Sequence, residues 1–141
     1  MPSLGVEIEM PIATRATGRS HKAEAYFHTL ECRKRLRGEP TELSCINGHP
    51  VAVRAPLVLS SVDNAYNNLE SSIGPVMDSE HGLADLDALA RREIEDVQAS
   101  LDAEGATIIN FSEHPDVSIE QGFYRSMLSP KPVYDYWVGY R

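Results

Sequence analysis

The sequence has little that would take it out of water. No apolar run approaches the ~20 residues a membrane-spanning helix needs, and the N-terminus has no signal-peptide pattern. Cysteine is scarce. Cys32 and Cys45 are too few and too irregularly placed for a disulfide framework or a zinc site, so a reducing cytoplasm is the expectation. Positive charge is short as well: 13 Lys and Arg against 21 Asp and Glu leave a formal net charge of −8. That balance excludes the basic face on which phosphate-backbone binding depends, and with it a nucleic-acid partner. Neither Gly-x-x-x-x-Gly-Lys-Ser/Thr nor Gly-x-Gly-x-x-Gly occurs, so a bound nucleotide would be held by sheet side chains and metal rather than by a glycine loop. Repeats and low-complexity tracts are missing too.

What is present fits one globular domain. Hydrophobic residues make up 42% of the 141 positions, too many for a disordered chain. A chain of this length buries about two thirds of the surface it exposes unfolded. The pattern is mixed α and β. Residues 4–13 read as a first strand. Ser20 is a candidate N-cap for a helix through about Arg37, with Ala23, Tyr26, Phe27 and Leu30 on one face and Gly38 as its stop. The basic run Arg33-Lys-Arg-Leu-Arg37 reads as a solvated helix end favoured by the helix dipole. Leu43–Ile46 and Val51–Val53 flank Asn47-Gly48, a strong hairpin signal, and Pro50 argues that the second arm is an edge or is shortened. From about Leu83 to Ala103, Leu83, Leu86, Ala90, Ile94, Val97 and Leu101 recur at helical spacing. Asp85, Arg91, Arg92, Glu95 and Asp102 take the other face, and Gly105 sits where a helix C-cap belongs. Ala106 to Phe111 then reads as a buried strand.

Three carboxylates carry the chemistry. In Leu4-Gly-Val-Glu-Ile-Glu-Met10, Val6, Ile8 and Met10 fall on one face of an extended chain and Glu7 and Glu9 on the other. Their side chains stand roughly 6–7 Å apart and point the same way. Oxygen ligands so spaced suit Mg²⁺ or Mn²⁺, above all where a phosphate completes the shell. The same pattern is also that of an amphipathic strand with a wetted acidic face. Glu70, in Asn67-Asn-Leu-Glu-Ser-Ser-Ile-Gly-Pro75, sits in an otherwise uncharged stretch where a bare carboxylate is costly unless paired or bound to a cation. Asp63, Asn64, Asn67 and Asn68 ahead of it read as turn and capping residues.

The opening Gly-Val-Glu-Ile-Glu-Met resembles the first strand of the glutamate–cysteine ligase-like enzymes, carboxylate–amine ligases related to glutamine synthetase. So do Val62-Asp-Asn-Ala-Tyr-Asn-Asn-Leu-Glu-Ser-Ser-Ile-Gly-Pro-Val76, Glu104-Gly-Ala-Thr-Ile-Ile-Asn-Phe-Ser-Glu-His-Pro115 and Pro130-Lys-Pro-Val-Tyr-Asp-Tyr-Trp-Val-Gly-Tyr-Arg141. The resemblance covers nearly the whole chain in order. It implies an α+β fold with an antiparallel or mixed sheet, the N-terminal part of a glutamine synthetase-like catalytic sheet. It also implies that residues 1–141 are one domain of a longer ligase, inactive alone and active when extended through the downstream reading frame.

The implied reaction is ATP-dependent. ATP phosphorylates the γ-carboxylate of glutamate, and the amine of cysteine, or another amine, attacks the acyl phosphate, as in glutathione biosynthesis. A carboxylate is a poor electrophile, phosphorylation supplies the leaving group, and Mg²⁺ (or Mn²⁺) offsets the charge at the phosphates. By resemblance Glu7, Glu9 and Glu70 hold the metal. His114, before Pro115 at a strand end, is placed to contact a nucleotide phosphate, ligate a metal or orient a carboxylate; Glu113 beside it reads as an exposed loop acid. Arg125, in Tyr124-Arg125, and Lys131 are the cations available for a transferring phosphoryl group, Arg125 as the catalytic one and Lys131 as a nucleotide contact. The alternative is a non-catalytic fragment that binds metal or a partner and assembles through its sheet edge, as a homo-oligomer for instance.

Overall fold

A six-stranded sheet and the helices packed on one of its faces account for most of residues 2–110 and 121–133, the part of the chain that the computed structural model describes. In chain order the elements are β1 (Ser3–Thr14), α1 (Tyr26–Leu36), β2 (Glu42–Ile46), β3 (His49–Ala55), β4 (Val58–Val62), β5 (Asn68–Met77), α2 (Gly82–Asp102), β6 (Ala106–Ile108) and α3 (Gln121–Met127). The strands lie in the order β2-β3-β4-β5-β1-β6, and each neighbouring pair is antiparallel. The α+β class expected from the sequence is thus the class observed. α1 packs on β2 and β3, α2 on β5, β1 and β6, and the two helices on each other. Between them and the sheet lies the core of Met10, Ile12, Phe27, Leu30, Val53, Val62, Leu69, Val97 and Leu101.

Local chemistry explains the joints. Asn47 and Gly48 both take positive φ (52° and 81°), as a tight hairpin with right-handed strand twist requires. β1 and β5 stay in register from Val6 to Pro11, with an irregularity between Leu4 and Val6. Gly74 faces that irregularity with φ +107°, and a Cβ there would come within 2.8 Å of the Leu4 carbonyl oxygen, so glycine is required.

Five expectations need correction. α1 starts at Tyr26 rather than after Ser20, because the preceding backbone is committed elsewhere: Ser20 bridges Ala13, and the Ala23 amide donates to the Tyr66 carbonyl. β3 is an interior strand, flanked by β2 and β4; Pro50 is tolerated at its hairpin end, beside the register shift at Ser44/Cys45. β6 ends at Ile108, and Phe111 lies outside the described residues. The α2 stripe is rotated: Val97 and Leu101 are buried, whereas Ile94 is 40% and Leu83 71% exposed.

The fifth correction concerns charge. Lys34, placed by its sequence in a solvated basic run, is buried, and so are Glu93 and Asp96 of α2. Lys34 Nζ donates to Glu93 Oε2 at 2.6 Å, and Ser71 Oγ donates to Glu93 Oε1 at 2.8 Å, with Ser60 Oγ beside it. Arg37 forks onto both oxygens of Asp96 at 2.5 Å. A buried carboxylate is tolerable only when paired and hydrogen-bonded, and here both are. Arg33 and Arg35 remain exposed, as their place at a helix end suggested.

Candidate functional site

The sheet face away from the helices carries the acidic residues. Strand alternation sends Ile8, Met10, Leu69 and Ser71 toward α2 and the core. It therefore sends Glu7, Glu9, Glu70 and Ser72 to the opposite side. The register completes the arrangement: Glu9 is the direct partner of Glu70 across β1 and β5, Glu7 the partner of Ser72, and Ser61 of β4 flanks Glu70 from the other side. Opposed residues in an antiparallel pair have Cβ atoms roughly 4.5–5.5 Å apart. Two predicted ligands on one strand and a third on its neighbour thus share one face.

The electrostatics agree with that placement. Burial pushes the Glu70 carboxyl above the usual carboxylate range, and the charges of Asp63, Glu7 and Glu9 push it further the same way, while Lys131 opposes them. A site that crowds carboxylates until one holds its proton more tightly is a site that favours a cation. The donor set, all carboxylate oxygen, fits a hard ion such as Mg²⁺ or Mn²⁺. Among the described residues no group of three His, Cys, Asp or Glu side chains stands at metal-holding distance. The carboxylates are laid out on a common face.

Lys131 is brought to this region by the segment after α3. The Tyr66 amide donates to the Met127 carbonyl at 2.7 Å, Leu128 bridges Ala65, and the Ser129 amide donates to the Asn64 carbonyl. Lys131 Nζ then donates to the carbonyls of Val62 and Asp63 at 2.8 and 2.9 Å. Its charge is felt by Glu70. Arg125 is exposed on α3, and no described contact joins it to the carboxylates. His114 and Glu113 lie outside the described residues.

Asp63 is the residue that reading the sequence undervalued. Its capping role holds, since Asn68 Nδ2 donates to Asp63 Oδ2 at 3.2 Å and the Asp63 amide to the Asn68 carbonyl. The same turn makes it the foremost charged influence on Glu70. The clue in the sequence was its place at a strand end seven residues before Glu70, which an antiparallel turn folds back on itself. The chain matches no protein-family model and no curated protein.

Proposed function

We propose that this chain is the metal-binding sheet of an ATP-dependent carboxylate–amine ligase of the glutamate–cysteine ligase type. The observation that carries the reading is the pairing of Glu9 with Glu70 across two neighbouring strands, with Glu7 two residues along on the same face. Three carboxylates on two rigid strands form a platform that positions more accurately than a loop. Bound there, Mg²⁺ offsets the negative charge of ATP during phosphoryl transfer to the γ-carboxylate of glutamate. Glu7, Glu9 and Glu70 hold the ion in that scheme. Lys131, pinned to the β4–β5 turn, supplies a fixed positive charge beside them, and Arg125 stabilises charge on the transferring group.

Calorimetric titration with Mn²⁺ tests the platform. Glu7→Gln and Glu9→Gln are each expected to weaken binding, and unchanged affinity in both overturns it. Phosphate release from ATP that needs both glutamate and an amine, measured on the full gene product, tests the reaction class.

A second reading is favoured by the outer edge of β1. Among the described residues β6 pairs with that edge at Ile12–Thr14, and no described strand pairs with residues 3–10 on that side. A second copy could extend the sheet there, making the chain a non-catalytic assembling fragment. Sedimentation of the wild type and of Val6→Lys separates the readings, because a dimer lost on this substitution supports edge pairing.

A further inference from the structure

The outer edge of β1 carries a pattern of its own, apart from the metal question. The Ile12 amide donates to the Asn67 carbonyl on the β5 side, and the Pro11 carbonyl accepts from the Ile109 amide on the other. Antiparallel alternation from Val6 to Pro11 then turns the backbone N–H and C=O groups of Glu7 and Glu9 outward, away from β5. No described strand pairs with them there. Pro11 fits that register, because its missing N–H falls at an outward position and costs β5 no bond.

Beside these backbone groups the helix side of the sheet is apolar and incompletely covered. A groove of about 330 Å³ lies at the end of β6, walled by Ile8 and Met10 of β1, Ile94 of α2, and Ile108 and Ile109. Ile94 is 40% exposed, and Val6, further along the same face of β1, is 36% exposed. The other side of the strand carries Glu7 and Glu9, both exposed, and among the described residues no ion pair engages either carboxylate.

A strand laid against this edge meets apolar surface on one of its faces and negative charge on the other. That selects its sequence, with apolar and basic residues in alternation. A second copy meets the edge less well. Pairing β1 with β1 sets Glu7 and Glu9 of one copy beside those of the other, and like charges opposed across a ladder are destabilising.

We propose that the outer edge of β1 docks an extended segment of a partner polypeptide in which Val, Ile or Leu alternate with Lys or Arg. Main-chain hydrogen bonds to Glu7 and Glu9 hold the segment in register. Its apolar residues fill the groove against Ile94, and its basic residues meet the two carboxylates.

Amide chemical shifts followed during titration with the peptide Lys-Val-Lys-Ile-Lys-Val-Lys, in buffer free of divalent metal, test this. Saturable shifts are expected at Glu7, Glu9, Ile94 and Ile108. Glu-Val-Glu-Ile-Glu-Val-Glu should bind about tenfold more weakly or worse. So should Lys-Lys-Lys-Lys-Val-Ile-Val, which keeps the composition and loses the alternation. Ile94→Ala should cost about fivefold in affinity for the alternating basic peptide and leave thermal unfolding close to wild type. Glu7→Gln with Glu9→Gln should narrow the gap between the basic and acidic peptides. Absence of saturable shifts at these amides overturns the proposal, as does equal binding of the acidic or the block peptide. So does a dimer, lost in Val6→Lys, that the alternating basic peptide fails to dissociate.

Discussion

Lys34 Nζ and Glu93 Oε2 lie 2.6 Å apart with the two residues 2% and 1% exposed. This pair joins α1 to α2, and the hydroxyls of Ser60 and Ser71 tie the same carboxylate to β4 and β5. Four elements meet at one side chain, at the level where an apolar residue would ordinarily fill the gap between helices and sheet.

Breaking one half of that pair strands the other. Lys34→Met or Glu93→Gln should each destabilise the fold by about 3–5 kcal/mol, because the partner's buried charge is left without its counter-charge. The double change Lys34→Met with Glu93→Gln should recover much of the loss, because no buried charge is left and the amide oxygen can still accept from the two serine hydroxyls. Urea unfolding of the three variants gives the coupling energy directly. Losses that simply add would show that the pair is not coupled.

The helix periodicity of α2 was legible, but its rotation was not. A stripe read from apolar residues assigns Glu93 and Asp96 to water. Here they turn inward because Lys34 of α1 and Arg37, just after its last turn, meet them there. Long-range pairing of this kind leaves no local signal. Leu101→Ala should therefore cost on the order of 2–5 kcal/mol, whereas Ile94→Ala, at a 40% exposed position, should stay within about 0.5 kcal/mol. Denaturant midpoints for the two variants measure the rotation.

The face carrying Glu7 and Glu9 could be read from alternation alone, since a strand permits two sides only. Which residue opposes Glu9 could not, because register depends on the whole β1–β5 alignment and on the irregularity at Leu4/Val6. Gly74 guards that alignment. Gly74→Ala should destabilise by more than about 1 kcal/mol, since alanine meets both an unfavourable φ and the Leu4 carbonyl oxygen. A thermal melt unchanged from wild type would mean that the strands tolerate a shift there, and that the Glu9–Glu70 pairing is not firmly held.

Glu70 gives the carboxylate platform a pH signature that needs no metal. Burial, Asp63, Glu7 and Glu9 raise its folded-state pKa above the usual carboxylate range. Between the unfolded value and that raised value the folded state holds a proton that the unfolded state has released. Linkage then makes stability fall as pH rises through this window, with the full cost present above it. Asp96 has the opposite sign. Burial alone would push it up, but Arg37's hydrogen bonds and charge, with Lys34 and Arg33, leave it below the usual range. Its contribution is present at neutral pH and is lost only in stronger acid, so the two windows do not overlap. Glu70→Gln should therefore be more stable than wild type at pH 7 and converge with it in the acid limb, near pH 4. Adding Mn²⁺ should reverse the neutral-pH order, because a cation stabilises the ionised wild-type carboxylate and has less to bind in the glutamine variant. Urea midpoints at several pH values, with and without Mn²⁺, check both halves. A Gln variant less stable than wild type at neutral pH without metal would mean that Glu70 is held by a favourable partner rather than crowded by its own kind.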